Sequence, residues 1–224
     1  MKFTKCLIIA AAAVSFAACD TSSDYKEQYL NIVTLDASNS SGSVLSYQTI
    51  NDSPLITLTT TQGFSENQVG KRVVILYTGL NDNFDNEKGG PVNILSAAPT
   101  FGGGEKIKPA SVDTLDNWAS NEIAFVSPFR SGKYLNLPMA INTAYNLKKF
   151  ACYYDVTTID SAYPEVHLIM QTTPGYESAY SSNFYGSYDM SDIWFRPSVL
   201  GIKVFYNGDK SVTLEKNPTS QTEQ

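Results

Sequence analysis

GKRVVILYTGL, residues 70–80, is the most informative stretch of the chain. Its centre, Val73-Val74-Ile75-Leu76-Tyr77, is β-branched and aromatic and shows no alternation of polar with apolar residues. A half-exposed strand alternates with period two, whereas an unbroken apolar run of this length reads as a strand buried on both faces. Residues 70–80 are therefore expected to form the central strand of a small closed sheet.

The flanks extend this reading in both directions. Upstream, YLNIVTL (29–35), SVLSYQTI (43–50) and SPLITLTT (53–60) are short, rich in β-branched residues and bounded by Asn, Asp, Ser, Gly or Pro. Downstream, the acidic loop NDNFDNEKGG (81–90) breaks the pattern. PVNILSAAPTF (91–101) and EKIKPAS (105–111) then read as a strand pair separated by Gly102-Gly103-Gly104. About five strands within residues 29–113 match the size of an OB-like barrel.

A second strand series follows. NEIAFVSPF (121–129), KYLNLPMAI (133–141), KKFACYYDV (148–156), PEVHLIMQT (164–172), YGSYDMSDIWF (185–195) and LGIKVFYN (200–207) recur at short spacing with turn residues between them. That rhythm is the mark of an antiparallel β-sandwich over residues 114–216. Leu135, Leu137, Met139 and Ile141 share one face by period two, as do Val166, Leu168 and Met170, so both sets are expected in the core. The fold class is all-β: an OB-like barrel followed by a sandwich, with residues 217–224 a polar tail.

The amino terminus speaks to location. Lys2 and Lys5 precede an apolar core from Leu7 to Val14, and Phe16-Ala17-Ala18 ends it before Cys19. The run is too short to span a bilayer permanently and reads as a signal peptide, residues 1–18. The small-small-Cys ending resembles a bacterial lipobox, which makes Cys19 the expected lipidation site and residues 19–28 a polar tether. A lipoprotein cysteine bearing several acyl chains holds a membrane stably, where a single chain gives only marginal binding. The partner expected there is the membrane itself; Asp20, Asp24 and Glu27 beside the anchor resemble either a cell-surface export signal or, with Asp20 directly after Cys19, an inner-membrane retention signal, and the outer-membrane, cell-surface face is what the family resemblance given below implies.

Composition narrows the function. The formal net charge is −6, and loss of Lys2 and Lys5 with the leader makes the remainder more negative still, which argues against a nucleic-acid partner. Of three cysteines, Cys6 leaves with the leader and Cys19 is acylated, so Cys152 has no disulfide partner and reads as a small buried hydrophobe. His167 is the only histidine and cannot build a His-rich zinc site alone; its alternation with Val166 and Leu168 turns it toward the outer face. The loop Asn81–Glu87 carries closely spaced oxygens but lacks the glycine and distal glutamate of an EF-hand, and it reads as a solvated hairpin tip. Gly102-Gly103-Gly104-Glu105-Lys106 lacks the spacer and the Lys-Ser/Thr ending of a phosphate loop. No catalytic residue, metal or cofactor is expected.

The order of lipobox, GKRVVILYTGL with its acidic loop, VNILSA, the DNW segment, KYLNLPMAI, VHLIMQT and GIKVFYN resembles the NigD-like family of bacterial lipoproteins over nearly the whole mature chain. The resemblance implies an N-terminal OB-type domain, a C-terminal β-sandwich and a non-enzymatic binding or protective role associated with bacteriocin immunity. It brings no catalytic residues with it. GYESAYSSNFYGSYDM (175–190) stands where that family usually has a charged, aliphatic-rich segment. Within and beside it, Tyr176, Tyr180, Phe184, Tyr185, Tyr188, Trp194 and Phe195 are interleaved with Ser, Asn and Gly. Of these, Tyr176, Tyr180, Tyr185, Tyr188 and Trp194 are the candidate ligand-binding residues, for a protein or glycan partner, because rigid aromatic rings add contact area at low entropic cost. The alternative is a cell-surface glycan-active enzyme or glycan-binding protein, in which paired carboxylates would do the chemistry.

Overall fold

The computed structural model describes residues 26–111, 123–142, 145–174, 181–206 and 210–216. Cys19, the leader and the polar tail lie outside them.

The first unit is a closed barrel. Its strands are β1 (Gln28–Asn39), β2 (Gly42–Tyr47), β3 (Ile56–Thr60), β4 (Arg72–Gly79) and β5 (Gly90–Pro99), in the order β1-β2-β3-β5-β4 around the barrel. The strand read first in the sequence, β4, lies between β1 and β5 and is antiparallel to both. Val73, Ile75 and Tyr77 point into the barrel, and Val74 on its outer side is still 92% buried. The two-faced burial inferred from the unbroken apolar run is therefore present. Val33, Leu35, Leu45, Tyr47, Ile56 and Leu58 complete the barrel interior. Bulges between Leu35 and Ala37 and between Leu76 and Tyr77 add the bend and twist that a small sheet needs to close on itself. The closing seam is short: β3 and β5 pair in parallel only through Leu58 with Gly90 and Thr59 with Pro91.

After Pro99 the chain departs from the sequence expectation. Residues 105–111 do not pair with β5. They run as a strap along the second unit, and β6 (Lys108–Ala110) adds in parallel to the edge of β10. Phe101 N–H donates to Tyr185 O at 2.8 Å, Gly104 N–H to Ser187 O at 2.8 Å and Ile107 N–H to Asp189 O at 3.0 Å, while Ser187 and Asp189 N–H return bonds to Phe101 and Glu105. Backbone groups of the strap are thus satisfied by the sandwich, which is why it goes there. The barrel ends well before residue 113, and the linker belongs structurally to the sandwich.

That second unit holds β7 (Ile123–Val126), β8 (Phe129–Ser131), β9 (Tyr134–Asn142), β10 (Tyr145–Asp155), β11 (Glu165–Pro174), β12 (Ser181–Asp189), the short helix α1 (Ser191–Trp194), β13 (Gly201–Tyr206) and β14 (Lys210–Glu215). One sheet has the order β14-β13-β11-β10-β6 and the other β12-β9-β7, with β8 paired to β9. The larger sheet is mixed rather than purely antiparallel, because β6 with β10 and β11 with β13 run parallel. The reason is connectivity: between β11 and β13 the chain visits β12 in the opposite sheet and α1, and re-enters in the same direction. Leu135, Leu137, Met139, Ile141, Val166, Leu168 and Met170 meet between the sheets as their spacing requires. Cys152 joins them, and burial pushes its thiol pKa up, leaving it protonated and inert.

Candidate functional site: the cleft between barrel and sandwich

Arg72 opens β4 and is 98% buried at the junction of the two units. Its Nε donates to Ser187 Oγ at 3.1 Å and its Nη2 to Asn136 Oδ1 at 3.1 Å, both on the sandwich. On the barrel side Nη2 donates to Ile32 O at 3.0 Å and Nη1 to Thr34 Oγ1 at 3.2 Å. Ser187 Oγ donates onward to Asn136 Oδ1 at 2.8 Å, and Asn136 Nδ2 to Ser131 Oγ at 2.7 Å. The guanidinium carbon stands 4.4 Å from the Tyr134 ring centroid. None of these partners is a carboxylate, so neutral dipoles and a π-face solvate the charge. Burial pulls the guanidinium pKa down to about 10, with Tyr134 and Asp36 opposing, and Arg72 stays cationic at neutral pH.

A second tie lies beside it. Arg130 forms a fork onto Asp52 at 2.7 and 2.6 Å, joining the β8 region to the β2–β3 loop. Asn51 N–H donates to Arg130 O at 2.7 Å and Gly132 N–H to Asn51 O at 2.6 Å. Hydrogen bonding to Arg130 holds the Asp52 carboxyl below the usual carboxylate range. Two buried arginines therefore pin barrel and sandwich together.

Between the pinned units runs a cleft of about 470 Å³, within the range of small-molecule sites. Lys71, Val73, Pro99 and Thr100 form the barrel wall, and Lys108, Phe150, Ala151, Cys152 and Tyr153 the sandwich wall. Gly102, Gly103, Glu105 and Lys106 of the strap, with Tyr188 of β12, complete it. Gly102 has φ +75°, and a Cβ there would sit 2.3 Å from the Tyr188 ring, so only glycine lets the strap pass. Lys106 is held by Asp192 at 2.8 Å, while Lys71 and Lys108 have no ion-pair partner among the described residues. The cleft is thus cationic on a chain of net negative charge. Among the described residues its lining has one carboxylate, Glu105, rather than the facing pair that glycoside chemistry uses.

Among the described residues, the aromatic side chains singled out in the sequence do not form one exposed patch. Tyr188 and Trp194 are 95% and 97% buried in the sandwich core. Trp194 packs under the Arg130 guanidinium at 5.2 Å and cannot serve as a surface anchor. Tyr185 is half-buried, Phe184 stacks on Phe101 at 5.7 Å, and Phe195 is exposed. Tyr176 and Tyr180 lie outside the described residues. The correction is physical: β12 fills the inter-sheet space with every second ring, and period two leaves the others on the far face. His167 sits on the outer face of β11 as its alternation implies, stacked on Phe205 at 4.9 Å.

The acidic loop also has more structure than a solvated tip. Asn86 closes the barrel end opposite Arg72: the Tyr47 hydroxyl lies 2.8 Å from both Asn86 O and Oδ1, Tyr77 donates to Asn86 Oδ1, and Asn31 Nδ2 donates to the Tyr77 hydroxyl at 2.7 Å. Phe84 packs on Gly79 and meets the rings of Tyr29 and Tyr77 at 5.7 and 6.3 Å.

What these elements define is a two-unit all-β protein, an OB-like barrel locked to a sandwich around a cationic cleft. Similar folds occur among solved structures. A NigD-like immunity protein from Bacteroides caccae aligns with TM-score 0.55 at 18% identity, over 86% of this chain and 95% of the other. A protein of unknown function from Bacteroides vulgatus aligns with TM-score 0.58 at 16% identity, over 88% and 95%. A putative toxin-related protein from Parabacteroides distasonis aligns with TM-score 0.55 at 12% identity, over 85% and 94%. No family model matches the chain, and no curated protein matches it in sequence. The chain has the fold of the NigD-like proteins, the group that its sequence pattern resembles.

Proposed function

We propose that this chain is an exported lipoprotein, anchored through Cys19, that binds its partner in a non-enzymatic, protective role of the bacteriocin-immunity type. The observation that carries the binding reading is the cleft, a concave cationic site whose two walls are fixed by buried Arg72 and Arg130. Preformed walls lower the ordering cost of binding. The names of the structural neighbours, immunity protein and toxin-related protein, support the protective role. The orientation is consistent: β1 begins at Gln28, which pairs with Thr78 at the far end of β4 from Arg72. Six residue steps from Arg72 to Thr78 separate those ends by roughly 20 Å. An anchor at Cys19 would enter the barrel from the end away from Arg72, which supports a cleft turned from the bilayer.

Two measurements test this. Cys19→Ser should release the processed protein from the membrane fraction, and retention would overturn the anchor. Capture of partners on intact cells should recover a specific molecule with the native protein and lose it with a Lys71→Glu/Lys108→Glu variant. Equal recovery by both would place binding elsewhere.

A further inference from the structure

Tyr188 brings a phenol to the cleft that the fold itself does not use. Its side chain is 95% buried, and its hydroxyl has no hydrogen-bond partner among the described residues. Leaving such a group unpaired is costly, and a core position needing only the ring would be better served by phenylalanine. The ring is wedged against Gly102 on the strap, and both residues line the cleft together with Glu105, Cys152 and Tyr153. That O–H, buried beneath the Gly102 strap at the edge of the cleft, is an unspent donor.

The walls say what kind of ligand. Lys71, whose stem runs beside Gly103, comes from the barrel, and Lys108, in register with Tyr153, comes from the sandwich. Both are exposed cations without an ion-pair partner among the described residues, and they face one space. A phosphate group favours forked guanidinium donors or a nest of free backbone N–H groups. Here the Arg72 fork is spent on Ser187, Asn136, Ile32 and Thr34. The strap amides are spent too: Gly103 N–H donates to Thr100 O, Gly104 N–H to Ser187 O and Glu105 N–H to Gly102 O. What remains is two ammonium groups and one phenol, donors suited to a carboxylate. Pro99, Phe150 and Ala151 offer an apolar bed beside them, and Glu105 disfavours a second negative charge nearby.

We propose that the cleft binds a small monocarboxylate with an apolar body, its charge held between Lys71 and Lys108 and its oxygen accepting the Tyr188 hydroxyl. The proposal rests on reading the cleft as the binding site. A carboxylate of this kind comes either from a free organic acid or from the C-terminus of a short peptide.

The test uses the full mature chain and hydrocinnamate, its amide hydrocinnamamide, phenethylphosphonate, and an acetylated Gly-Gly-Phe peptide with a free C-terminus. Binding is followed by amide shifts of Gly102 to Glu105 in ¹H–¹⁵N spectra and by calorimetry. The acid should bind about tenfold more tightly than the amide, and Lys71→Gln/Lys108→Gln should abolish that preference. Tyr188→Phe should weaken acid binding several-fold while leaving the melting temperature unchanged or raised, since it removes an unpaired buried hydroxyl; a merely structural tyrosine would leave binding unmoved. Tighter binding of the peptide than of the free acid supports the proposal and assigns the source to a chain terminus. Equal binding of acid and amide, or tighter binding of the phosphonate, overturns the carboxylate assignment while the cleft stands as a binding site. No shift with any probe overturns the ligand class, and the binding reading then rests on whether the intact-cell capture depends on Lys71 and Lys108.

Discussion

Arg72 of the barrel donates from Nε to the Ser187 hydroxyl of the sandwich at 3.1 Å, across 115 residues of sequence. The bond belongs to a network in which every partner is neutral, so losing the arginine removes a donor from Ser187, Asn136 and the Ile32 carbonyl together. Arg72→Leu should therefore destabilise the protein by ~1–3 kcal/mol, the scale of leaving buried neutral acceptors short of a donor. Arg72→Lys should recover little, since an ammonium cannot supply the fork. Urea unfolding of both variants checks this.

Asn86→Ala should cost ~1–3 kcal/mol, because it leaves the buried hydroxyls of Tyr47 and Tyr77 short of a partner. The same pair predicts an alkaline limb. Burial, with help from the Tyr47 hydroxyl, raises the Tyr77 pKa above its ordinary value. A folded-state pKa that is raised contributes stability in full below the unfolded value, near 10, and loses it as pH rises further. Tyr77→Phe should flatten that decline between about pH 10 and 11 relative to the native protein, read by thermal melts across pH.

Asp52 predicts the opposite, acid limb. Its hydrogen bonds to Arg130 lower its pKa, so its contribution is present above the unfolded value and disappears as pH falls through the folded one. Asp52→Asn should lower stability at neutral pH by a modest amount and leave less to lose below about pH 4, the ordinary carboxylate range. An acid titration monitored by circular dichroism distinguishes the two proteins.

Truncation tests the strap. A fragment covering 100–216 keeps the backbone bonds between residues 101–107 and β12, and it keeps β6 on β10. It should unfold cooperatively, whereas 114–216, cut where the sequence pattern changes, should not. Denaturant melts of the two fragments decide it.

Trp194→Ala should lose ~3–5 kcal/mol as a core truncation. Tyr185→Ala, at a half-buried position, should lose clearly less. Parallel thermal melts of the two variants give the comparison.

Local pattern was enough for the skeleton of this fold. The unbroken run Val73–Tyr77 announced a strand covered on both sides, and the period-two sets Leu135–Ile141 and Val166–Met170 announced the sandwich faces, because burial along a strand is written at a spacing of one and two residues. The site was not legible in that way. Arg72 looks like a solvated charge flanking a strand, Gly102-Gly103-Gly104 looks like a hairpin turn, and Tyr188 is expected among the ligand-binding aromatics but as part of a surface group with Tyr185. Their meaning depends on partners far away in sequence: Ser187 and Asn136 for Arg72, β12 for the strap, Gly102 for Tyr188. Tertiary structure alone decided these, because a buried polar group is tolerated only where distant backbone and side-chain dipoles converge on it, and no local periodicity encodes that convergence.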